Sequence, residues 1–201
     1  MQFELRLPVD WNEKFYYQGG SGVDGILFEA FGTYGGGGNV RNALLDGYAV
    51  VTTDSGHQAV KDKPNGRFLF GADPQARLEY GNMQIPQVTA AAKSLIDRFY
   101  GQAPKFSYFY GSSNGGRQAM IAAQQYPDLF NGILASAPGF RLAQASIQAL
   151  YQAQISAKVA PKGPDGQPDL KNTLTADEKA VVVTKILDAC DMLDGAKDGM
   201  V

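Results

Sequence analysis

The sequence predicts an α/β fold with a mainly parallel sheet, followed by the start of a helical segment. Strand patterns alternate with helical patterns through residues 1–140, as they do in parallel sheets covered by helices. Residues 48–53 are apolar or β-branched on both faces, which is typical of a buried parallel strand. Residues 106–126 change from an aromatic strand to an apolar helix at a glycine-rich turn.

The predicted elements follow one another closely along this first part of the chain. Pro127 prevents the helix before it from continuing, and Pro138 with Gly139 ends the last strand. Three segments have helical patterns: 40–45, 87–100 and 114–126. Five segments have the alternation, or the aromatic and β-branched composition, of strands: 3–7, 14–18, 48–53, 106–110 and 132–137.

The composition changes near residue 140. Residues 141–160 are rich in Ala and Gln and have no strand pattern, and residues 161–168 form a loop rich in Pro and Gly. Thr175 and Glu178 form a capping box that opens a further helix. We therefore divide the chain into an α/β core at 1–140 and the beginning of a helical domain at 141–201.

Length and composition exclude several classes of protein. A chain of 201 residues that is 44% hydrophobic and 19% charged suits one globular domain, or slightly more. The net charge of −2 and the scattered Lys and Arg residues give no basis for binding nucleic acid or an anionic membrane. The sequence opens directly on a strand pattern, so we expect no signal peptide. The oligomeric state is not indicated.

The turn Gly111-Ser112-Ser113-Asn114-Gly115 has the form of a nucleophile elbow. Ser113 would project from a strained strand-to-helix turn, and the flanking glycines would keep Cβ atoms out of that corner. The helix that follows directs its positive end and its free N–H groups at the serine, so the Asn114 N–H could stabilise an oxyanion. The alternative is a glycine-rich turn that contains a serine by chance, but the strand and helix on either side favour the nucleophile.

A glycine run, Gly19-Gly20-Ser21-Gly22, follows the predicted strand at 14–18. A second oxyanion donor lies in such a loop in this architecture, although the glycines could equally form a tight turn. Residues 20–25 also match the dinucleotide fingerprint G-x-G-x-x-G. That fingerprint needs a helix at its third glycine and an acid about 20 residues later, whereas glycines interrupt the following segment and Asp54 is more distant. A nucleotide-binding oxidoreductase is therefore the weaker alternative.

The only histidine, His57, precedes Ser113 in the sequence. In this architecture the catalytic histidine follows the serine and the acidic residue. His57 is therefore expected to have a structural or site-adjacent role rather than to act as the catalytic base.

Several segments occur in the order in which a known family has them: 7–12, 19–22, 47–57, 111–118, 137–140 and 189–199. The chain resembles the tannase/feruloyl esterase family of α/β-hydrolases, in which a helical lid is inserted in the core. The resemblance implies hydrolysis of small carboxylic esters of aromatic acids through an acyl-enzyme. It implies Ser113 as nucleophile, with Asn114 and Gly20 as the oxyanion-hole residues.

One residue departs from the pattern of this family. Its members commonly have a cysteine immediately before the nucleophile, bridged to a cysteine beside the catalytic histidine, and this chain has Ser112 there. That bridge cannot form here. The single cysteine, Cys190, resembles a lid cysteine whose partner lies further along in longer relatives, and it cannot form a disulfide within the chain.

The pattern of residues 191–200 is typical either of a metal-binding loop or of a solvated acidic turn. Carboxylates on a tight glycine-containing loop are the hard oxygen ligands that suit Ca²⁺, although the spacing is not that of an EF-hand. The residues alone leave both readings open. The family resemblance implies a structural Ca²⁺ in the lid, held by side-chain oxygens of Asp191, Asp194 and Asp198 and by the carbonyl oxygens of Ala196 and Met200.

The resemblance also implies that the triad is completed outside this chain. An acidic residue and a histidine would follow residue 201, so we expect little or no turnover from the 201 residues alone. A non-catalytic fragment that binds ligand at most is the main alternative. The resemblance implies a secreted or periplasmic enzyme.

Overall fold

The protein is represented by a computed structural model that describes residues 1–33 and 41–201. The chain forms two compact units, Met1–Phe140 and Arg141–Val201. The division falls at the residue where the composition of the sequence changes. None of the helices among the described residues has the length and apolar character required to cross a bilayer.

Within residues 1–33 and 41–140, the first unit is built on a five-stranded sheet. Its strand order is β1-β3-β2-β4-β5, in which β1 is antiparallel to β3 and the other three pairs are parallel. The prediction of a mainly parallel sheet is confirmed. The strands are β1 (Phe3–Arg6), β2 (Lys14–Gln18), β3 (Ala49–Thr53), β4 (Phe106–Ser112) and β5 (Gly132–Ser136).

In the described part of the first unit the α-helices are α1, α2 and α3. A π-helical turn, Glu79–Met83, joins α1 to α2 without a break, and short 3-10 turns lie at Leu69–Ala72 and Pro127–Leu129. The sequence did not predict α1 or the π-helical turn. The helices are α1 (Pro74–Leu78), α2 (Gln84–Tyr100) and α3 (Asn114–Gln125).

The main core lies on one face of the sheet, beneath α2 and α3. Alternate strand residues point into it because the side-chain period of a strand is two. Tyr17 and Phe109 stack there with ring centroids 4.6 Å apart, and Phe130 packs against both edge-on. Helix α2 contributes a buried stripe, which includes Ile85 and Ile96. This packing fixes α3, and therefore the turn that precedes it, against the ends of the parallel strands.

The predicted helix at 40–45 is wrong where the structure describes it. Val40 lies outside the described residues, and Ala43 to Gly47 form a turn. The Asn42 side chain accepts a hydrogen bond from the Leu45 N–H, at 2.9 Å, and so offers the backbone an alternative to the helix. Gly47 then adopts a φ of 83°. The predictions at 87–100 and 114–126 are confirmed, with small shifts of their ends.

The second unit contains α4 (Leu142–Val159) and α5 (Ala176–Cys190), with a 3-10 turn at Leu170–Asn172 between them. The predicted capping box is confirmed, because Thr175 accepts from the Glu178 N–H at 3.2 Å and Glu178 accepts from the Thr175 N–H at 2.8 Å. Neither helix has a buried residue.

Candidate active site

Ser113 alone separates the end of β4 from the start of α3. Its φ of 58° and ψ of −117° lie in a region that residues with a Cβ rarely adopt. Backbone hydrogen bonds hold it there: its N–H donates to Ser136 O at 3.1 Å, and its carbonyl accepts from the Gly139 N–H at 2.9 Å. The surrounding structure therefore imposes the strained conformation, as it does at a nucleophile elbow, and the side chain is exposed.

Glycines allow the elbow to pack directly on the loop that follows β2. A Cβ atom at Gly115 would lie 2.6 Å from the Gly20 carbonyl oxygen, and one at Gly19 would lie 3.0 Å from the Gly115 Cα. A Cβ at Gly111 would overlap the backbone of Gly115. The close approach explains why the residues on both sides of this contact lack side chains.

An open cavity of about 470 Å³ lies between the elbow and this loop. Ser113 forms part of its wall, together with Gly20 and Ser21. Three aromatic side chains also line the cavity: Phe28, Phe31 and Tyr110. The cavity can therefore hold a small molecule that has an apolar ring beside a group within reach of the serine.

Asn114 and Gly20 differ in how their N–H groups are placed. Asn114 is the first residue of α3, where a backbone N–H has no acceptor within the helix, and the helix dipole is positive at this end. The N–H of Gly20 donates to the Gln118 side-chain oxygen at 2.9 Å. A substrate oxygen would have to compete with Gln118 for it, so the assignment of Gly20 as a second oxyanion donor stays a prediction.

A buried carboxylate that sequence reasoning missed lies behind the glycine loop. Asp24 is 2% exposed and bonds to the loop and to α3. It accepts from the Ser21 N–H at 3.0 Å, from Asn114 Nδ2 at 2.9 Å and from Gln118 Nε2 at 2.7 Å. Burial raises the pKa of the Asp24 carboxyl above its ordinary value, although hydrogen bonds and the charge of Arg117 act in the opposite direction.

Arg117 connects α3 to the π-helical turn. It donates from Nε to Asn114 Oδ1 at 2.8 Å, from Nη1 to Gly81 O at 3.0 Å and from Nη2 to Tyr80 O at 2.9 Å. The Tyr80 hydroxyl donates to the same Asn114 oxygen at 3.1 Å. π-Helical turns occur frequently at functional sites, and here the turn supports Asn114, the residue next to Ser113.

His57 binds the glycine loop rather than the serine. Its Nε2 lies 2.9 Å from the Val23 carbonyl oxygen, so Nε2 carries a proton, and its ring stacks on Phe70 at 3.7 Å. Among the described residues, Nδ1 has no hydrogen-bond partner and no hydrogen bond joins His57 to Ser113. This position agrees with a structural role for His57.

The dinucleotide fingerprint at 20–25 lacks the helix that it requires. The backbone from Gly25 to Thr33 is irregular, apart from a single bridge between Thr33 and Asn42. A pyrophosphate would therefore find no helix N-terminus at the third glycine.

A model of the family described as tannase and feruloyl esterase matches residues 1–201. The chain belongs to this family. It is 42% identical over 206 residues to a mono(2-hydroxyethyl) terephthalate hydrolase of Piscinibacter sakaiensis, a match that covers 100% of this chain and 34% of that protein. It is 31% identical over 205 residues to a probable feruloyl esterase of Arthroderma benhamiae, covering 98% of this chain and 34% of the relative.

Solved structures of the tannase and feruloyl esterase family have the same fold. Feruloyl esterase B from Aspergillus oryzae matches with a TM-score of 0.71 at 26% identity, over 98% of this chain and 35% of that chain. Tannin acyl hydrolase from Aspergillus niger matches with a TM-score of 0.62 at 19% identity, over 98% and 34%, and shows the fold alone. The core is of the α/β-hydrolase type, and the chain spans about a third of the length of these relatives.

In the acidic loop at residues 191–200, the carboxylates accept hydrogen bonds from backbone N–H groups of the same loop. Asp191 Oδ1 accepts from the N–H groups of Asp198 and Gly199, at 3.2 and 2.9 Å. Asp194 accepts from the Ala196 N–H at 2.9 Å, and Asp198 from the Met200 N–H at 3.1 Å. The oxygens suit Ca²⁺ chemically. However, within residues 1–33 and 41–201 no group of three or more acidic, His or Cys side chains is arranged to hold a metal ion.

Proposed function

We propose that this chain carries the nucleophile and part of the oxyanion hole of a serine carboxylic-ester hydrolase. The observation that carries the proposal is the conformation of Ser113, which is held at a φ of 58° between β4 and the N-terminus of α3. The exposed serine forms part of the wall of a cavity with aromatic sides. Membership of a family of ester hydrolases supports the same reaction.

In the proposed reaction Ser113 Oγ attacks the carbonyl carbon of the ester and gives its proton to a base. The carbonyl oxygen becomes an oxyanion, which accepts a hydrogen bond from the Asn114 N–H at the positive end of α3. The bond to the alcohol then breaks, and the alcohol leaves with the proton from the base. Water hydrolyses the acyl-enzyme by the same steps and releases the acid.

The base and the acidic residue that orients it would come from sequence outside this chain. His57 is bonded to Val23, and the relatives are about three times as long as the matched segment. The competing hypothesis is a ligand-binding fragment without catalysis, which the cavity alone would also support.

We propose a small ester of an aromatic acid as substrate. Phe28, Phe31 and Tyr110 can stack on an aromatic acyl group while Ser113 reaches its carbonyl carbon. The names of two relatives, a terephthalate-ester hydrolase and a feruloyl esterase, are consistent with this class of substrate. A secreted or periplasmic location and a structural Ca²⁺ at the 191–200 loop belong to the same proposal and rest on the family resemblance.

Hydrolysis of chromogenic aryl esters by the longer protein that contains this chain tests the proposal. Ser113→Ala should lower kcat by about 10³-fold or more, because removal of a triad member leaves only oxyanion and binding effects. Ser146→Ala, on the exposed face of α4, is the matched control and should keep full activity. Turnover that survives Ser113→Ala would overturn the proposal. The 201-residue chain should show little or no turnover.

A further inference from the structure

We infer that Asp24 is a positioning residue. It holds the glycine loop, Gly19 to Ser21, in its position against the nucleophile elbow. The inference rests on the proposed esterase activity and adds a residue to its site. Asp24 is buried and lies behind the loop, whereas the described wall of the cavity includes Gly20, Ser21 and Ser113. Asp24 therefore acts through other groups rather than on the substrate.

One carboxylate joins the two sides of the site. Asp24 Oδ1 accepts from the Ser21 N–H in the loop, at 3.0 Å. Its Oδ2 accepts from Asn114 Nδ2 and Gln118 Nε2 in α3, at 2.9 and 2.7 Å. Asn114 follows Ser113 directly, and it is 90 residues from Asp24 in sequence. Loop and elbow thus share a single buried anchor.

The carboxylate also fixes the direction of two amides. An ionised carboxylate only accepts hydrogen bonds, so both amides must turn their NH₂ groups towards it. The oxygen of Gln118 then faces the Gly20 N–H, which donates to it at 2.9 Å. The oxygen of Asn114 faces Arg117 and Tyr80, which both donate to it. Asp24 therefore determines that the Gly20 N–H, Arg117 and Tyr80 each meet an amide oxygen rather than an NH₂ group.

The backbone at Asp24 indicates that its side chain is required. Its φ of 55° is in the left-handed region, and the next residue, Gly25, is there as well, at 76°. Asp is among the non-glycine residues that adopt this region most readily, but glycine would adopt it with less strain. A Cβ at Gly20 would collide with the Asp24 carboxylate, so the loop is shaped around this side chain.

Asp24→Asn in the longer protein tests the inference, with Asp54→Asn as the matched control. The Asn variant has the same shape but presents an NH₂ group to neighbours that are themselves donors, so the amides must turn. Asp54 is also buried and accepts from backbone N–H groups of Gln2 and Gly56, which lie outside the elbow. Esterase kcat and KM and thermal unfolding are measured for both variants.

Asp24→Asn should lower kcat by about 10²-fold with KM changed less than threefold, because a misplaced oxyanion donor weakens only the transition state. Asp54→Asn should lose stability but keep kcat within about threefold. A folded Asp24→Asn variant with the wild-type kcat would overturn the inference. So would losses of kcat that are in the same proportion to the loss of stability in Asp24→Asn and in Asp54→Asn. In either case Ser113-dependent activity of the wild type would leave the proposed function standing.

Gln118→Met provides a second test if Asp24→Asn does not fold. It removes the relay from Asp24 to the Gly20 N–H but leaves the carboxylate in place. We expect a lower kcat and faster amide hydrogen exchange over residues 19–25, with the exchange of β1 unchanged. Unchanged exchange in that loop together with an unchanged kcat would contradict the role assigned to Asp24.

Discussion

The guanidinium of Arg117 lies over the ring of Tyr80, 4.4 Å from its centroid, and donates to the backbone carbonyl of the same residue. One side chain therefore binds both the face and the main chain of a residue in the π-helical turn. Since Arg117 also donates to Asn114, it links that turn to the residue beside Ser113.

Replacing Arg117 by Met should destabilise the protein by about 2–4 kcal/mol, because the carbonyls of Tyr80 and Gly81 lose charged donors and the cation–π contact is lost. The free energy of unfolding in urea measures the effect. Arg98→Met, at an exposed position of α2, should change it by less than about 0.5 kcal/mol. Equal losses of unfolding free energy in the two variants would show that the hydrogen bonds and the cation–π contact of Arg117 contribute little to stability.

Adding a methyl group at Gly115 should separate the elbow from the glycine loop. In Gly115→Ala the Cβ would lie 2.6 Å from the Gly20 carbonyl oxygen, and overpacking of this kind costs about 1–3 kcal/mol. In the longer protein that contains this chain, we also expect esterase activity to fall. Gly71→Ala is the control, because no atom lies within 4 Å of the added Cβ. A Gly115→Ala variant as stable and active as wild type would contradict the close packing of loop and elbow.

The side chains of Asp24 and Glu4 should give stability opposite dependences on pH. Burial raises the pKa of Asp24, so its contribution is fully present below its ordinary pKa of 3.8 and is lost as pH rises through the folded value. The hydrogen bond from the Ala30 N–H lowers the pKa of Glu4. Its contribution is therefore present above its ordinary pKa of 4.5 and is lost as pH falls through the folded value.

Urea unfolding at a series of pH values, with Asp24→Asn and Glu4→Gln beside the wild type, checks this expectation. Relative to Asp24→Asn, the wild type should lose stability as pH rises from about 4. Relative to Glu4→Gln, it should lose stability as pH falls below about 4.5. If the difference in stability between wild type and variant changed with pH in the same direction for Asp24→Asn and for Glu4→Gln, one of the two pKa directions would be wrong.

Calcium should raise the unfolding temperature if the 191–200 loop binds it as proposed, because a ligand that binds only the folded state stabilises it. Removal of Ca²⁺ by a chelator should lower that temperature, and Asp191→Asn should abolish the difference. Asp165→Asn, in a separate loop of the same unit, should leave the response to Ca²⁺ intact. A wild type whose unfolding temperature is the same with Ca²⁺ and with chelator would rule out a stabilising ion.

The elbow could be predicted from sequence because its signal is local. Ser113 lies between an aromatic strand and an apolar helix, and the glycines that the turn needs are beside it. The helix predicted at 40–45 failed for an equally local reason that went unrecognised, the competition of the Asn42 side chain for the backbone. Patterns of apolar spacing do not include such side-chain hydrogen bonds.

The support of the elbow could not be predicted because its contacts are remote in sequence. Asp24 meets Gln118 across 94 residues, and Tyr80 meets Asn114 across 34. The one local hint was an acidic residue directly before Gly25, in a loop that needs left-handed backbone conformations. Only the folded sheet, in which β2 and β4 are neighbours, shows that this loop reaches α3.

The backbone hydrogen bonds that hold Ser113 have a consequence for oxidation and reduction. The residue before Ser113 is Ser112, and the single sulfhydryl group of the 201 residues belongs to Cys190, in the other unit. The carbonyl of Ser136 and the N–H of Gly139, rather than a sulfur–sulfur bond, keep the elbow in shape. Thiol reductants and oxidants should therefore leave the backbone geometry at Ser113 unchanged.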